Sequence, residues 1–255
     1  MEKHYVEVES RELVLRGYLE LPDCVREGGC APLLVMFHGF CGTLSEKHFL
    51  LSRLSRQVVD AGVATLRLDF GGSGESDGNF LDVTPRTEVE DGQAILSFGA
   101  GLSQVDPERM GLLGFSLGGF VAANVAACGT TRLKRLVLVS AAMATHKKME
   151  RSLGECGRAL RGSLEVGRAF VSEGYALDPL RAARRVGEMG IPVSLVQGTA
   201  DVAVPFQTAE AWRAELSAAG SEVELAYVEG ADHAYDTPEG FAELSRAVIA
   251  AARKL

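Results

Sequence analysis

Gly114-Phe115-Ser116-Leu117-Gly118 joins an apolar run at residues 110–113 to a run of small residues with helical character at 119–127. A strand, a G-x-S-x-G turn and a helix in this order are typical of a nucleophile elbow, which holds a serine on a sharp turn at the top of a sheet. The flanking glycines let neighbouring backbone pass without a clash against a Cβ atom. The pattern therefore predicts that Ser116 is a nucleophile, rather than an incidental serine in a glycine-rich turn.

A serine hydroxyl acts as a nucleophile only with a base and a group that orients the base. The sequence offers both in the chain order that goes with this elbow, which is serine, acid, histidine. Asp201 follows the apolar run at residues 192–197, and His233 follows the run at 223–228. Both are expected on loops at the carboxyl ends of strands, where open α/β sheets carry their chemistry. We predict that His233 takes the Ser116 proton and that Asp201 holds the imidazole tautomer.

Other residues compete for these two roles. An aspartate after a strand is often only a turn or capping residue, and both Asp232 and Asp236 lie close to His233 in sequence. That closeness makes it hard for either carboxylate to approach the imidazole from the correct side, so Asp201 remains the predicted acid. Only His233 among the five histidines follows a late strand; the other four are His4, His38, His48 and His146.

The segment His-Gly-Phe-Cys-Gly at residues 38–42 directly follows an apolar run. Acyl transfer passes through a tetrahedral oxyanion, which is stabilised by backbone N–H donors. In a fold with this elbow, one donor belongs to the residue after the nucleophile, here Leu117, and the other to the loop after the third strand, here Phe40. We interpret His38 as a structural loop residue. Cys41 lacks a histidine of its own, so we interpret it as part of a loop or pocket wall.

These segments, with residues 45–49, 65–70, 72–78 and 229–233, resemble the α/β-hydrolase superfamily along nearly the whole chain. More narrowly, the chain resembles the bacterial cinnamoyl and feruloyl esterase group of serine hydrolases. That resemblance implies hydrolysis of carboxylic esters without a cofactor, and a small lid inserted between the sixth strand and the strand that bears the acid. One departure is Gly71, where related chains often carry Arg or Asn after the Asp-Phe pair.

Strand-like and helix-like segments alternate along the chain after an opening antiparallel hairpin at residues 5–9 and 13–21. Further strands are predicted at 33–37, 63–68, 110–115, 133–140, 192–197 and 222–228, and helices at 47–61, 84–97, 206–219 and 239–254. The alternation predicts a mostly parallel, doubly wound sheet, and with the resemblance an α/β-hydrolase fold of eight strands. The rhythm breaks at residues 141–190, which hold seven glycines. We predict an inserted lid of short mobile helices there, with the core at 1–140 and 191–255.

The lid segment has nine Lys or Arg residues and six acidic ones, so its net charge is +3 against −11 for the rest of the chain. The simplest interpretation is a set of solvated helix faces. The alternative is that some of these cations meet an anionic part of a substrate; the candidates are Lys147, Lys148, Arg151, Arg158 and Arg161. Phe170 and Tyr175 could line a pocket for an aryl acid, although such residues more often form lid core.

Composition indicates a globular domain of 255 residues that can bury a sizeable core, with 47% apolar and 24% charged residues. The net charge of −8 argues against nucleic-acid binding. The charged, alternating start and the lack of a long apolar run predict no targeting segment and no membrane insertion.

Scattered cysteines indicate reduced thiols in the cytoplasm, and no spacing among them matches a zinc site; they are Cys24, Cys30, Cys41, Cys128 and Cys156. No metal or cofactor is expected.

We therefore predict a serine hydrolase that cleaves small-molecule carboxylic esters, of aryl or short-chain acyl type, through an acyl-enzyme on Ser116. Because a serine, histidine and aspartate do not by themselves choose the leaving group, thioester or small-amide hydrolysis stays an alternative. A non-catalytic binding protein with the same fold is a further alternative. A dehalogenase is not favoured, since its elbow needs a carboxylate where Ser116 stands. Residues 72–74 resemble the start of a dinucleotide-binding loop but lack its third glycine, so a nucleotide-binding role is not favoured. The sequence leaves open whether the protein forms a homodimer.

Overall fold

The computed structural model describes residues 1–25, 28–154 and 157–255, so the predicted free thiol of Cys156 lies outside the described residues. The strands in these ranges are β1 (Glu2–Ser10), β2 (Leu13–Leu21), β3 (Ala31–Phe37), β4 (Ala64–Leu68), β5 (Val105–Phe115), β6 (Arg135–Val139), β7 (Arg158–Arg161), β8 (Leu164–Gly167), β9 (Val193–Gly198) and β10 (Val223–Val228). The α-helices are α1 (Leu50–Asp60), α2 (Pro85–Ala100), α3 (Leu117–Cys128), α4 (Thr145–Glu150), α5 (Arg168–Ala176), α6 (Pro179–Glu188), α7 (Gln207–Ala218) and α8 (Pro238–Ala252).

Eight of the described strands form one twisted sheet in the order β1-β2-β4-β3-β5-β6-β9-β10. The pairs β1/β2 and β2/β4 are antiparallel, and every pair from β4 to β10 is parallel. Strands in the middle of the sheet are covered on both faces, which is why they read as continuous apolar runs in the sequence. The predicted fold, a mostly parallel eight-stranded sheet, is confirmed.

Helices cover both faces of the sheet. Side chains of β3 alternate between the two sides, because successive residues of a strand point to opposite faces. Leu34 and Met36 belong to an apolar cluster with α1 and α8, whereas Leu33 and Val35 belong to a larger cluster with α2, α3, α6 and α7. The result is a three-layer α/β/α arrangement, in which burial of both sheet faces holds the strand ends in fixed positions.

The sheet changes its winding direction at β3. The chain moves from β3 through α1 to β4 on one side, and then through α2 to β5 on the other side. Connections that diverge in this way leave a crevice at the carboxyl ends of the two neighbouring strands. Phe37 at the end of β3 pairs with Gly114 near the end of β5, so the loop that begins at His38 lies beside the turn at Ser116.

Between β6 and β9 the chain leaves the sheet and forms α4, the hairpin β7–β8, α5 and α6. Helix α4 packs on α5, while α6 packs on α3 and α7. The expectation of helices alone over this segment was incomplete, because two four-residue strands pair here around a turn at Gly162, which has a φ of +61°. Only Ala159 and Val166 of the hairpin are buried, so its alternation was too short to stand out in the sequence.

No helix within the described ranges combines the length and the apolar character needed to cross a membrane.

Candidate active site

Ser116 lies on the sharp turn between β5 and α3, with φ +56° and ψ −120°. This conformation is strained for a residue with a side chain and is maintained by its surroundings. The Ser116 N–H donates to the Val139 carbonyl at 3.0 Å, and the Ser116 carbonyl accepts the N–H of Ala142 at 2.9 Å. Glycine is required on either side, since a Cβ on Gly114 would lie 2.1 Å from the Gly118 carbonyl oxygen. The turn has the geometry expected of a nucleophile elbow.

The structure brings Ser116, His233 and Asp201 into one hydrogen-bonded chain, although they lie on three loops. The His233 Nε2 atom is 3.0 Å from the Ser116 Oγ, and its Nδ1 atom is 2.7 Å from Oδ2 of Asp201. A carboxylate accepts hydrogen bonds, so Nδ1 carries the proton and Nε2 is free to accept from the serine hydroxyl. This arrangement can generate a serine nucleophile and return its proton to a departing group.

The Asp201 carboxylate is buried and held from several sides. Its Oδ1 atom accepts the backbone N–H groups of Ala203 at 2.9 Å and Val204 at 2.7 Å, and Gln197 Nε2 lies 3.3 Å from Oδ2. Burial alone would raise the pKa of Asp201, but the hydrogen bonds from His233 and the Val204 N–H outweigh burial and hold it below its ordinary value. The carboxylate therefore stays ionised at neutral pH and can stabilise a positively charged imidazole.

Asp232 and Asp236, the competing carboxylates, do not contact the imidazole. Asp236 binds Lys47 Nζ at 2.9 Å and His48 Nδ1 at 2.5 Å, on the side of the loop that precedes α1. Asp232 accepts the backbone N–H of Asp236 at 3.1 Å. These two residues shape the turn after β10 and leave Asp201 as the partner of the imidazole.

The two predicted oxyanion donors are both available. Leu117 is the first residue of α3, so its N–H has no acceptor within the helix. The N–H of Phe40 donates to no acceptor among the described residues. His38 braces this loop, because its Nε2 accepts the Phe70 N–H at 3.1 Å, leaving Nδ1 to donate to the Gly39 carbonyl at 3.0 Å. The structural interpretation of His38 fits these contacts.

Glu46 is a site residue that the sequence reasoning missed. Its Oε1 atom accepts the N–H of Gly39 at 2.5 Å, next to Phe40. The residue has a left-handed φ of +57° and lies under Gly42, where a Cβ would come 2.2 Å from Oε1. The sequence showed the two glycines of this loop, Gly39 and Gly42. Nothing in their spacing indicated that both lie against the carboxylate of Glu46.

The glycine-rich segment at residues 72–78 is held in place by the carboxylate of Asp69, which precedes it in the chain. Asp69 Oδ2 accepts the Glu75 N–H at 3.0 Å, while Oδ1 accepts the Leu44 N–H at 2.6 Å, so the loop and the segment after β3 are tied together. Gly71, just before this segment, packs against Arg11, because a Cβ on Gly71 would lie 2.7 Å from Arg11 Nη2. This departure from related chains therefore changes packing against Arg11 and is not part of either cavity described below.

Two cavities meet at Ser116, and Phe40 and Cys41 border both of them. The first has a volume of about 500 Å³ and is otherwise lined by residues 142–145 and 203–205 and by Lys148, Arg161 and Thr208. The second has a volume of about 440 Å³ and is otherwise lined by Gly39, Gly42, Thr43, Glu46, Lys47, Leu50, Phe115, His233 and Ala234. Ser116 thus separates one cavity on the His233 side from one that reaches under residues 141–190.

Cys41 contacts both cavities, and part of the residue reaches solvent. Burial of its thiol raises the pKa to about 11, although the nearby Arg161 guanidinium opposes this shift. A thiol in that state is not ionised at neutral pH and is a poor nucleophile. These properties agree with the interpretation of Cys41 as part of a pocket wall.

The cations and aromatic residues predicted in the lid segment separate into different environments. Lys148 and Arg161 line the first cavity, whereas Arg158 pairs with Glu165 at 2.9 Å. Lys147 borders a different cavity, and Arg151 is exposed. Phe170 is fully buried with its ring 4.7 Å from that of Phe40, and the Tyr175 hydroxyl donates to Glu150, so neither ring lines the cavities at Ser116.

The chain shows similarity to known proteins over most of its length. The sequence model of the prolyl oligopeptidase family, Peptidase S9, matches residues 51–250. Among curated proteins, an uncharacterized 31.7 kDa protein of the traX-finO intergenic region of Escherichia coli is 36% identical over 88 residues, which are 34% of this chain and 30% of that protein. The quorum-quenching protein AidA of Acinetobacter baumannii is 29% identical over 117 residues, 45% of this chain and 36% of AidA. The chain thus matches about a third of the length of these curated relatives.

Among solved structures, Est1E from Butyrivibrio proteoclasticus with ferulic acid bound aligns with a TM-score of 0.83. The alignment covers 96% of each chain at 24% sequence identity. The α/β-hydrolase fold predicted from the motifs is thereby confirmed.

Proposed function

Because the chain belongs to the prolyl oligopeptidase family, Peptidase S9, we propose that it is a serine hydrolase that cleaves small carboxylic esters through an acyl-enzyme on Ser116. The single observation that carries this proposal is the chain of contacts at the elbow. A strained Ser116 lies 3.0 Å from the His233 Nε2, and the opposite ring nitrogen of His233 lies 2.7 Å from a buried Asp201. A serine, a base and an orienting acid in this geometry are the parts that acyl transfer requires.

In the proposed reaction the Ser116 Oγ attacks the acyl carbon while the His233 Nε2 takes the hydroxyl proton. The N–H groups of Phe40 and Leu117 then donate to the oxyanion of the tetrahedral intermediate. When this intermediate collapses, His233 gives the proton to the leaving alcohol and the acyl group stays on Ser116. Water attacks the acyl-enzyme by the same route and releases the acid.

An ester is the proposed substrate because an alcohol leaves an acyl group more readily than an amine does, and because the first cavity at Ser116 is lined largely by apolar residues. Ferulic acid bound to Est1E, which shares this fold, supports an aryl acid as one acyl group to test. Amide cleavage is the second candidate, since the family is named for a peptidase. Thioesters remain a third class, because the same contacts serve any acyl leaving group.

We also propose that residues 141–190 act as a lid. The support is that Met143, Lys148 and Arg161 from this segment border the first cavity, and that Phe170 packs on Phe40. A cytoplasmic location and a homodimer stay as predictions from the sequence.

The experiment is hydrolysis of a substrate panel by the wild type and by Ser116→Ala. The panel holds short and medium p-nitrophenyl esters, methyl ferulate, an acyl-CoA and a peptidyl p-nitroanilide. We expect turnover of at least one ester that is lost in Ser116→Ala, with circular dichroism showing that the variant is folded. Turnover of the anilide or the thioester alone would replace the ester proposal with one of the two alternatives. Turnover equal in both proteins would contradict a role for Ser116.

A further inference from the structure

In the proposed reaction the two cavities at Ser116 hold different parts of the substrate. His233 returns its proton to the leaving group, so the leaving group must lie on the His233 side of the serine. The second cavity contains His233 and Ala234, and the first contains neither. The first cavity, called the acyl cavity below, therefore receives the acyl part of the substrate.

The acyl cavity has cationic groups and no acidic ones. Its walls are mostly apolar, from Phe40, Met143, Val204 and Pro205, and its only charged lining residues in the described parts of the chain are Lys148 and Arg161. No carboxylate among the described residues pairs with Arg161. Lys148 Nζ donates to the carbonyl of Ala203, which also lines the cavity, and this contact holds the ammonium group there. Two positive charges that also reach solvent therefore border a largely apolar cavity, with no carboxylate partner among the residues that the structure describes.

Two cations near the acyl cavity, Lys47 and Arg158, have carboxylate partners. Lys47, in the second cavity, binds Asp236 at 2.9 Å. Arg158, on the same strand as Arg161, binds Glu165 at 2.9 Å. These two cations have carboxylate partners, whereas the structure gives none among the described residues to the two cations that line the acyl cavity. An uncompensated guanidinium beside apolar walls favours an anionic ligand, and its planar fork fits a carboxylate.

We propose that the acyl cavity takes an acyl group that itself carries a carboxylate, so that the substrate is a monoester of a dicarboxylic acid. In the bound substrate the ester carbonyl lies at Ser116 and the free carboxylate binds Arg161 and Lys148. Methylene or aryl groups between them contact the apolar walls. The proposal rests on the proposed function and adds the class of acyl group to it.

Binding to Ser116→Ala tests the anion site without turnover. The probes are monomethyl adipate and its neutral counterpart, in which a carboxamide replaces the free carboxylate, and the measurement is isothermal titration calorimetry. We expect the carboxylate to bind about tenfold more tightly, because charge-assisted hydrogen bonds to Arg161 and Lys148 are stronger than those to a carboxamide. Raising the ionic strength should reduce this difference, since exposed parts of the charges are screened. Equal affinities for the two probes would overturn the proposal.

Variants locate the charge and supply the control. In the Ser116→Ala background, Arg161→Gln should remove most of the preference for the carboxylate and Arg161→Lys should keep part of it. Lys148→Gln should weaken the preference in the same direction. Lys147→Gln removes an equal charge one residue away, at a different cavity, and should leave the preference unchanged. A preference that survives in Arg161→Gln with Lys148→Gln would overturn the assignment.

Kinetics separates failure of this proposal from failure of the proposed function. With Ser116 intact, the ratio of kcat/KM for p-nitrophenyl monoesters ending in carboxylate and in carboxamide should follow the binding preference. Ser116-dependent turnover with a ratio of one would leave the hydrolase proposal standing and remove the anion site. A carboxylate preference in binding without Ser116-dependent turnover of any ester would support the anion site and remove the hydrolase proposal.

Discussion

The carboxylate of Glu46 accepts the backbone N–H of Gly39, the residue before the proposed oxyanion donor Phe40. The contact spans seven residues and closes the loop after β3 on itself. Phe40 is further held from the other side, where its ring packs against Phe170. Glu46 does not touch the serine, histidine or aspartate of the proposed site, so we infer that it acts by positioning the donor.

Removing the Glu46 carboxylate should weaken stabilisation of the oxyanion. We expect Glu46→Ala to lower kcat by about tenfold to a hundredfold with a smaller change in KM, because a misplaced donor affects the transition state most. Glu46→Gln keeps an acceptor oxygen and should retain much of the activity. The inhibition constant of a boronic acid, which mimics the tetrahedral intermediate, should rise in parallel with the loss of kcat. Unchanged kcat and boronate affinity in Glu46→Ala would show that the contact is only structural.

Replacing Asp201 by Asn should impair catalysis more than folding. The Asn oxygen would stay with the Ala203 and Val204 N–H groups, so its NH₂ group would face the His233 Nδ1. That contact favours the imidazole tautomer with the proton on Nε2, which cannot accept from Ser116. We expect kcat to fall by about 10³–10⁴-fold. Steady-state kinetics and a thermal melt would check this; a loss of less than tenfold in a folded variant would contradict the assignment of Asp201.

The grouping of the three residues of the proposed site could be predicted because each follows a rule that is local in the sequence. Ser116 stands in a pattern whose glycines are dictated by backbone contact, and Asp201 and His233 each follow a recognisable strand. The order of those strands in the sheet then brings the residues together. The β-hairpin at Arg158–Arg161 was missed because two four-residue strands with one buried residue each carry almost no periodic signal.

Arg67 and Glu20 form an almost fully buried ion pair, with Nη2 3.3 Å from Oε2. Arg67 Nη1 also donates to the Leu44 carbonyl at 2.7 Å, which ties β4 to the loop after β3. Arg67→Leu would leave the buried Glu20 carboxylate with the hydroxyl donors of Ser55 and Thr65 and, among the described residues, with one cation, the partly exposed Lys3 at 3.3 Å. We expect a loss of about 3–5 kcal/mol in the free energy of unfolding.

Urea unfolding with fitted midpoints and slopes measures that loss. Adding Glu20→Gln to Arg67→Leu removes the uncompensated charge and should recover part of the stability. If the single and double variants are equally unstable, the cost comes from lost packing at Arg67 and not from the buried charge.

Glu88 is a buried carboxyl whose Oε2 atom has no hydrogen-bond partner among the described residues. Burial first, and then the neighbouring Asp91 charge, raise the pKa of Glu88 well above its ordinary value. The folded protein therefore keeps a proton that the unfolded chain loses at mildly acidic pH. The stabilising contribution of this proton is complete below the unfolded pKa and is lost as the pH rises through the folded pKa.

Glu88→Gln removes this linkage because an amide does not titrate. The Tm of the variant relative to the wild type should therefore rise as the pH increases from the unfolded pKa to the folded pKa of Glu88, and should be level outside that window. Thermal melts of both proteins across that range make the comparison, and Glu90→Gln, an exposed neighbour on α2, is the control. A Tm difference that is independent of pH would contradict the assignment of a neutral carboxyl at Glu88.

The contact between Glu46 and Gly39 could not be predicted from the sequence, nor could the lack of a carboxylate partner for Arg161 among the described residues. Both depend on segments outside the sheet. The loop after β3 contains left-handed φ values at Cys41, Glu46, His48 and Phe49, and Arg161 lies at the end of the short strand β7. Such torsions are uncommon for residues other than glycine and have no reliable sequence signature. The net charge of the lid segment could be calculated from the sequence. Which of its cations line the cavity beside Ser116 depends on the fold.

Reaction with a fluorophosphonate tests the central claim most directly, because it requires an activated serine and no knowledge of the substrate. Intact-mass measurement of the wild type should show one added group, and peptide mapping should place it on Ser116. Ser116→Ala should stay unlabelled, and His233→Ala should be labelled far more slowly while remaining folded. A wild type that stays unlabelled, or equal labelling of the wild type and Ser116→Ala, would contradict the account of Ser116 as the nucleophile.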